Sequence, residues 1–129
     1  MAKLGQVLRS VANSRKSAYC PDAGDIISIN FDPQAGREQA GKRPALVLSP
    51  RKYNELSRLC VLCPMTTQSK RYPFEVEAAA LERIGTGYVL SDQVKSMSWE
   101  QRDAQFECIA PPAVLAHVRA KIKALVGIP

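Results

Sequence analysis

No apolar run in the sequence approaches the roughly 20 residues of a membrane-spanning helix, so no helical span is expected. Four cysteines (Cys20, Cys60, Cys63 and Cys108) are too few to frame a chain of 129 residues with disulfides. No secretory apolar segment precedes them, so reduced thiols in a cytoplasm are expected. Histidine occurs once, at His117, whereas a histidine-based acid–base pair needs two positioned groups. There is no glycine-rich phosphate loop, no Ser-His-Asp arrangement and no carboxylate cluster suited to metal-assisted catalysis. Internal repeats and low-complexity tracts are also missing. An enzyme with these absences must draw on Arg, Thr, Glu and backbone donors, and neither a metal nor a cofactor is expected. Cys60-x-x-Cys63 has the spacing of a metal or redox pair, but on a strand the side-chain period is two, so the thiols point to opposite faces. Two core cysteines are the expected outcome.

What is present is concentrated. The hydrophobic share of 46% is enough for one compact domain with a real core. The net charge of +6 is matched by residues 34–73 alone, where eight basic residues face two acidic ones. Residues 1–18 add four basic residues with no acid, and residues 19–33 are acidic. Such a basic block fits a polyanionic partner, and equally the plain basic surface of a soluble protein.

Residues 1–18 read as a basic, loosely ordered N-terminal extension, and residues 19–129 as the folded domain. Pro21-Asp22-Ala23-Gly24 is turn chemistry. From Asp25 to Phe31 the residues Ile27, Ile29 and Phe31 alternate with others, predicting a half-buried strand. Further strands are predicted over Ala45–Ser49, Leu59–Met65, Phe74–Glu77, Tyr88–Leu90, Asp92–Trp99 and Gln105–Ile109, with one helical turn over Arg51–Leu56. After Pro111-Pro112, the residues Val114, Leu115, Val118, Ile122 and Leu125 recur at three-to-four spacing, and Gly127 can close that helix. Short strands followed by one clear helix predict a small, strongly bent antiparallel sheet or barrel capped by the helix.

Two polar loops each abut a strand. The first ends in Lys42-Arg43-Pro44, where proline biases Arg43 toward an extended conformation at the mouth of a strand. The second, Thr66-Thr67-Gln68-Ser69-Lys70-Arg71, leaves the strand that ends near Met65. If the two strands are neighbours, Arg43 offers a planar fork suited to phosphate and Thr66 a hydroxyl donor. The alternative is a pair of ordinary polar loops.

Three stretches in this order, PDAGDIISINFDPQAGREQAGKRPALVLSP, VLCPMTTQSKRYPFEV and LSDQVKS, resemble the MazF/PemK family of toxin endoribonucleases. The resemblance runs from Tyr19 to Gly127 and gives residues 1–18 nothing. It implies a mainly β fold with some helix, an SH3-like small β-barrel with a C-terminal helix, acting as a homodimer. It implies metal-independent, sequence-specific cleavage of single-stranded RNA, including mRNA, which halts translation and growth. The route implied is 2′-OH attack, leaving a 2′,3′-cyclic phosphate and a 5′-OH. A cognate antitoxin would occupy the RNA groove, and operator DNA would be met only through that complex. Onto this sequence the family's catalytic residues fall at Arg43, Thr66 and Glu38. RNA contacts fall at Gln39, Lys42, Thr67, Gln68, Ser69, Lys70, Asp92 and Gln93. Two other readings share the barrel: a non-enzymatic gyrase poison, whose action would lie on the terminal helix, and an inactive RNA-binding relative.

Overall fold

A computed structural model describes residues 19–32 and 41–129. Glu38, Gln39 and the basic N-terminal stretch therefore lie outside the described residues. The chain runs through β1 (Asp25–Asn30), β2 (Lys42–Val47), α1 (Arg51–Ser57), β3 (Leu59–Thr66), β4 (Glu75–Leu81) and β5 (Gly85–Leu90). A single 3-10 turn over Ser91–Gln93 leads into β6 (Lys95–Ser98), β7 (Gln105–Ile109) and α2 (Pro112–Leu125). All pairings are antiparallel, in the order β4-β5-β3-β2-β1-β7, with β6 also on β3. The result is a mainly β, curled half-barrel with a C-terminal helix.

β3 is the axis of this arrangement. One edge pairs with β2 over Leu62–Pro64. The other pairs first with β6, over residues 59–62, and then with β5, at Met65 and Thr66. Pro64, which has no N–H to give, falls in the gap between those two partners, where a ladder bond is not asked of it. Changing partners along one strand is how a short sheet bends round on itself.

The period of two sorts the strand side chains into two cores. Ile26, Leu46, Cys63, Met65 and Val89 share one with Val114 and Val118 of α2. Ile27, Ile29, Phe31, Ala45, Val47, Cys60 and Leu62 share the other with Met97 and Trp99. Cys60 and Cys63 thus lie on opposite faces, as the strand period predicts. Burial pushes both thiols up to about 12, so both stay protonated and unreactive at neutral pH.

β5 runs from Gly85 rather than Tyr88, and four larger departures from the sequence-based expectation follow. β1 is buried on both faces over Asp25–Ile27 rather than half-buried, because both cores use it. β2 begins at Lys42 instead of Ala45: Arg43 pairs with Ile29 and Pro44 with Ser28, and the ladder to β3 starts only at Ala45, one residue past the proline. β4 extends to Leu81 through a bulge at which Ala80 takes φ 57°. Residues 92–99 do not form one strand, since the 3-10 turn comes first.

α2 buries Val114 and Val118 and leaves His117 exposed. It ends where Gly127 takes φ 75° and Ile128 N–H donates to Lys123 O at 2.9 Å, the left-handed stop expected of a C-terminal glycine. Arg119 donates to Leu48 O at 3.1 Å and Lys121 to Pro73 O at 2.6 Å, tying the helix to loops at the sheet's margin.

Candidate active site in an open cleft

Arg43 and Thr66 arrive at one place because their strands share a sheet. β2 and β3 are neighbours, Arg43 sits one residue before the proline of β2, and Thr66 is the last residue of β3. Strand backbone holds both Cα positions, so only side-chain torsions are left to set. Both residues are half-buried. Alternation along β2 sends Lys42 the other way, where its amine meets Asp103 Oδ2 at 2.8 Å.

The loop after Thr66 is fixed by one carboxylate. Glu75 accepts from the Ser69 hydroxyl at 2.8 Å and from the Lys70 N–H at 3.0 Å. Ser69 Oγ accepts from Arg71 N–H at 3.1 Å, and Arg71 itself takes φ 54°. At the loop's start, Thr66 Oγ1 accepts a long bond from Gln68 N–H at 3.3 Å. At its end, Ser91 N–H donates to Phe74 O at 3.1 Å, joining the 3-10 turn to the loop. The same two segments meet again where the Tyr72 hydroxyl donates to Asp92 Oδ2 at 3.0 Å. That bond to a carboxylate holds the Tyr72 phenol above its ordinary range.

Between these walls lies an open cleft of 690 Å³, lined by Arg43, Thr66, Thr67, Gln68, Lys70, Tyr72, Glu75, Leu90, Asp92 and Gln93. Its volume is in the range of roughly 300–1,000 Å³ usual for ligand sites. Three polar atoms of this lining, Arg43 Nε, Asp92 Oδ1 and Gln93 Oε1, are buried and have no hydrogen-bond partner among the described residues. Buried polar groups are nearly always paired, so these three, like Ser91 Oγ outside the lining, call for completion by a group beyond the described residues: an acceptor for Arg43 and donors for Asp92 and Gln93. An anionic oxygen suits the first, and N–H groups suit the others. A phosphodiester joined to a base offers both.

Of the residues marked from sequence, the cleft gathers Arg43, Thr66, Thr67, Gln68, Lys70, Asp92 and Gln93. It does not gather Lys42, which is paired with Asp103, or Ser69, whose hydroxyl is turned to Glu75. Reasoning from sequence missed Tyr72, Glu75 and Leu90. Tyr72-Pro73 reads as a break and Glu75 as a strand polar, and no periodicity singles out either. Among the described residues, no three His, Cys, Asp or Glu side chains gather into a metal-binding group. No described helix is long and apolar enough to cross a membrane.

Residues 22–126 match the family of PemK-like, MazF-like toxins of type II toxin–antitoxin systems. The chain belongs to this family. It is 50% identical over 111 residues to the endoribonuclease toxin MazF of Escherichia coli strain K12, covering 86% of this chain and 98% of that protein. The crystal structure of MazF from Deinococcus radiodurans superposes with a TM-score of 0.81 at 48% identity, covering 85% of this chain and 99% of that one. A MazE–MazF crystal structure from the same organism gives 0.76 at 42% identity, covering 86% and 99%. The curled sheet and terminal helix are therefore the fold of this toxin family, and an SH3-like small barrel is a fair description of it.

Proposed function

We propose that this endoribonuclease toxin cuts single-stranded RNA at the Arg43–Thr66 corner of the cleft. The observation that carries the reading is Arg43 Nε, a buried donor with no partner among the described residues, on a strand beside the cleft that Thr66 also lines. The 2′-OH attacks the adjacent phosphorus and the bond to the 5′ oxygen of the next nucleotide breaks. The products are a 2′,3′-cyclic phosphate and a 5′-OH. As charge grows on the phosphoryl oxygens, Arg43 donates to them from a backbone position that the strand fixes. Thr66 orients the same group through its hydroxyl. A guanidinium has donors and no acceptor, so Glu38 is assigned either to take the 2′-OH proton or to hold Arg43, and water returns a proton to the departing 5′ oxygen. Thr67, Gln68 and Lys70 line the path of the flanking nucleotides.

The active form proposed is a cytoplasmic homodimer, since one cleft is short for a strand of RNA. A cognate antitoxin would silence it by covering the cleft. The test is purified protein on a long RNA in EDTA, with product ends mapped. Cuts at a recurring word, bearing 5′-OH ends, support the reading. No cleavage, or cleavage restored only by magnesium, overturns it.

A further inference from the structure

Asp92 is held in a particular way. One carboxylate oxygen, Oδ2, takes the Tyr72 hydroxyl at 3.0 Å, while Oδ1 is buried with no donor among the described residues. The next residue, Gln93, presents a side-chain carbonyl in the same state. Tyr72 is 46% exposed, yet its ring is braced at 5.6 Å and 52° against Phe74. Phe74 in turn accepts through its carbonyl from Ser91 N–H, the residue beside Asp92. The tyrosine hydroxyl is thus fixed from its own side of the cleft, and it decides which carboxylate oxygen stays free.

We propose that Tyr72 is a positioning residue for base selection: by holding Asp92 Oδ2 it keeps Asp92 Oδ1 and Gln93 Oε1 as a paired acceptor edge for the amino group of a nucleobase. The idea rests on the RNA-cleaving function proposed above. Adenine, cytosine and guanine each carry an exocyclic amino group, whereas uracil offers carbonyls on either side of one N–H. Asp92 Oδ1 and Gln93 Oε1 can accept from the amino group of the first three, whereas uracil gives them a single N–H flanked by carbonyls and is the poorest fit. In unpaired RNA that edge is free to be read. The Arg43 end of the cleft offers a donor and suits phosphate, so bond breaking and base choice sit on different parts of one lining.

The test compares full-length wild type, Tyr72→Phe and Asp92→Asn on a long RNA with mapped cleavage ends. Each is then assayed on the preferred word with one amino group removed at a time, using purine riboside for adenosine, inosine for guanosine or 2-pyrimidinone riboside for cytidine. Wild type should lose about tenfold in kcat/KM when the recognised amino group is removed. Tyr72→Phe should show a raised KM, with a smaller fall in kcat, and a flattened preference at that position alone. It should then be nearly indifferent to the missing amino group. Asp92→Asn should disturb the same position, which keeps the test decisive if Tyr72→Phe folds poorly. An unchanged preference and analogue penalty in Tyr72→Phe would overturn the proposal. So would a uniform fall in kcat on every sequence with a shifted pH–rate profile, which would place Tyr72 and Asp92 in proton transfer. Wild type that cuts no RNA sinks the function itself and this inference with it, whereas wild type that cuts while Tyr72→Phe keeps its preference sinks this inference alone.

Discussion

Two polar clusters in this small barrel are built to opposite rules. Around Asn54, everything is paired: its amide donates to Pro21 O at 2.8 Å and Ser49 O at 3.0 Å, and its carbonyl oxygen accepts from Ser49 Oγ at 2.6 Å. Ser49 Oγ also accepts from Val61 N–H at 2.8 Å, and Trp99 Nε1 donates to Asn54 O at 3.0 Å. Asn54 is fully buried. Around Arg43, by contrast, buried polar atoms go without partners among the described residues. A satisfied network fixes a loop, a helix and a strand in register and adds rigidity. An unsatisfied one is tolerated where a ligand completes it. The difference separates residues that hold the fold from residues that wait for substrate.

The sharpest way to break that comparison is at its reactive end. Arg43→Ala should leave a folded protein and lower the cleavage rate by about 100-fold or more, the usual cost of removing a preorganised donor. Arg43→Lys should recover little, because an ammonium lacks the planar fork. RNA and antitoxin binding should weaken far less than turnover. Single-turnover rates and circular dichroism check it, and a near-native rate would move the chemistry elsewhere.

The opposite end should fail in the opposite way. Asn54→Ala strands Pro21 O, Ser49 O and the Ser49 hydroxyl in a buried place, with a cost of about 1–3 kcal/mol for each group left without a partner. A stability loss of about 3 kcal/mol, seen as a Tm lower by about 10 °C, is expected. Below that Tm the folded fraction should turn over as wild type does. Thermal melts alongside cleavage rates decide it; unchanged Tm, or lost turnover in folded protein, would erase the distinction between the clusters.

How much of this the sequence disclosed follows from the kind of signal each part sends. The alternation of Ile27, Ile29 and Phe31, and the three-to-four spacing from Val114 to Leu125, are periodic and gave β1 and α2 close to their bounds. Arg43 and Thr66 were marked because each abuts a strand, and adjacent strands then brought them together. The start of β2 was missed because proline reads as a stop, although Pro44 stands clear of the ladder to β3. The far half of β4 was missed because Ala78–Ala80 has no strand preference and is held only by the pairs Ala78–Gly87 and Leu81–Gly85 on either side of its bulge. Tyr72 and the satisfied cluster at Asn54 depend on contacts across 20 and 33 residues of sequence, which no local pattern records.

Within the cleft the effects should be graded. Thr66 contributes one neutral hydroxyl, so Thr66→Ala should lower the rate about tenfold, the worth of one hydrogen bond at the transition state. The double variant with Arg43→Ala should fall short of the product of the single effects, since both act on one phosphate. Full additivity would mean that the residues act on different groups.

The smallest effect is expected at the residue next to Arg43 in the chain. Lys42 and Arg43 are neighbouring cations on one strand, but the strand period points them apart, and Lys42 is bound to Asp103 with both side chains 41% exposed. An exposed ion pair of this kind is worth about 0–1 kcal/mol, because water screens it and two side chains must be ordered to form it. Lys42→Ala should therefore lower stability by less than about 1 kcal/mol. Its effect on cleavage should be confined to the general electrostatic attraction of RNA: the slope of log rate against log salt should become shallower by about one charge, with little change at high salt. Asp103→Asn removes the opposing charge while the amine keeps the Asp103 backbone carbonyl at 3.2 Å, and it should steepen that slope by about one charge. If Lys42→Ala instead loses turnover as steeply as Arg43→Ala at every salt concentration, the Asp103 pair does not persist with RNA bound, and Lys42 joins the cleft after all.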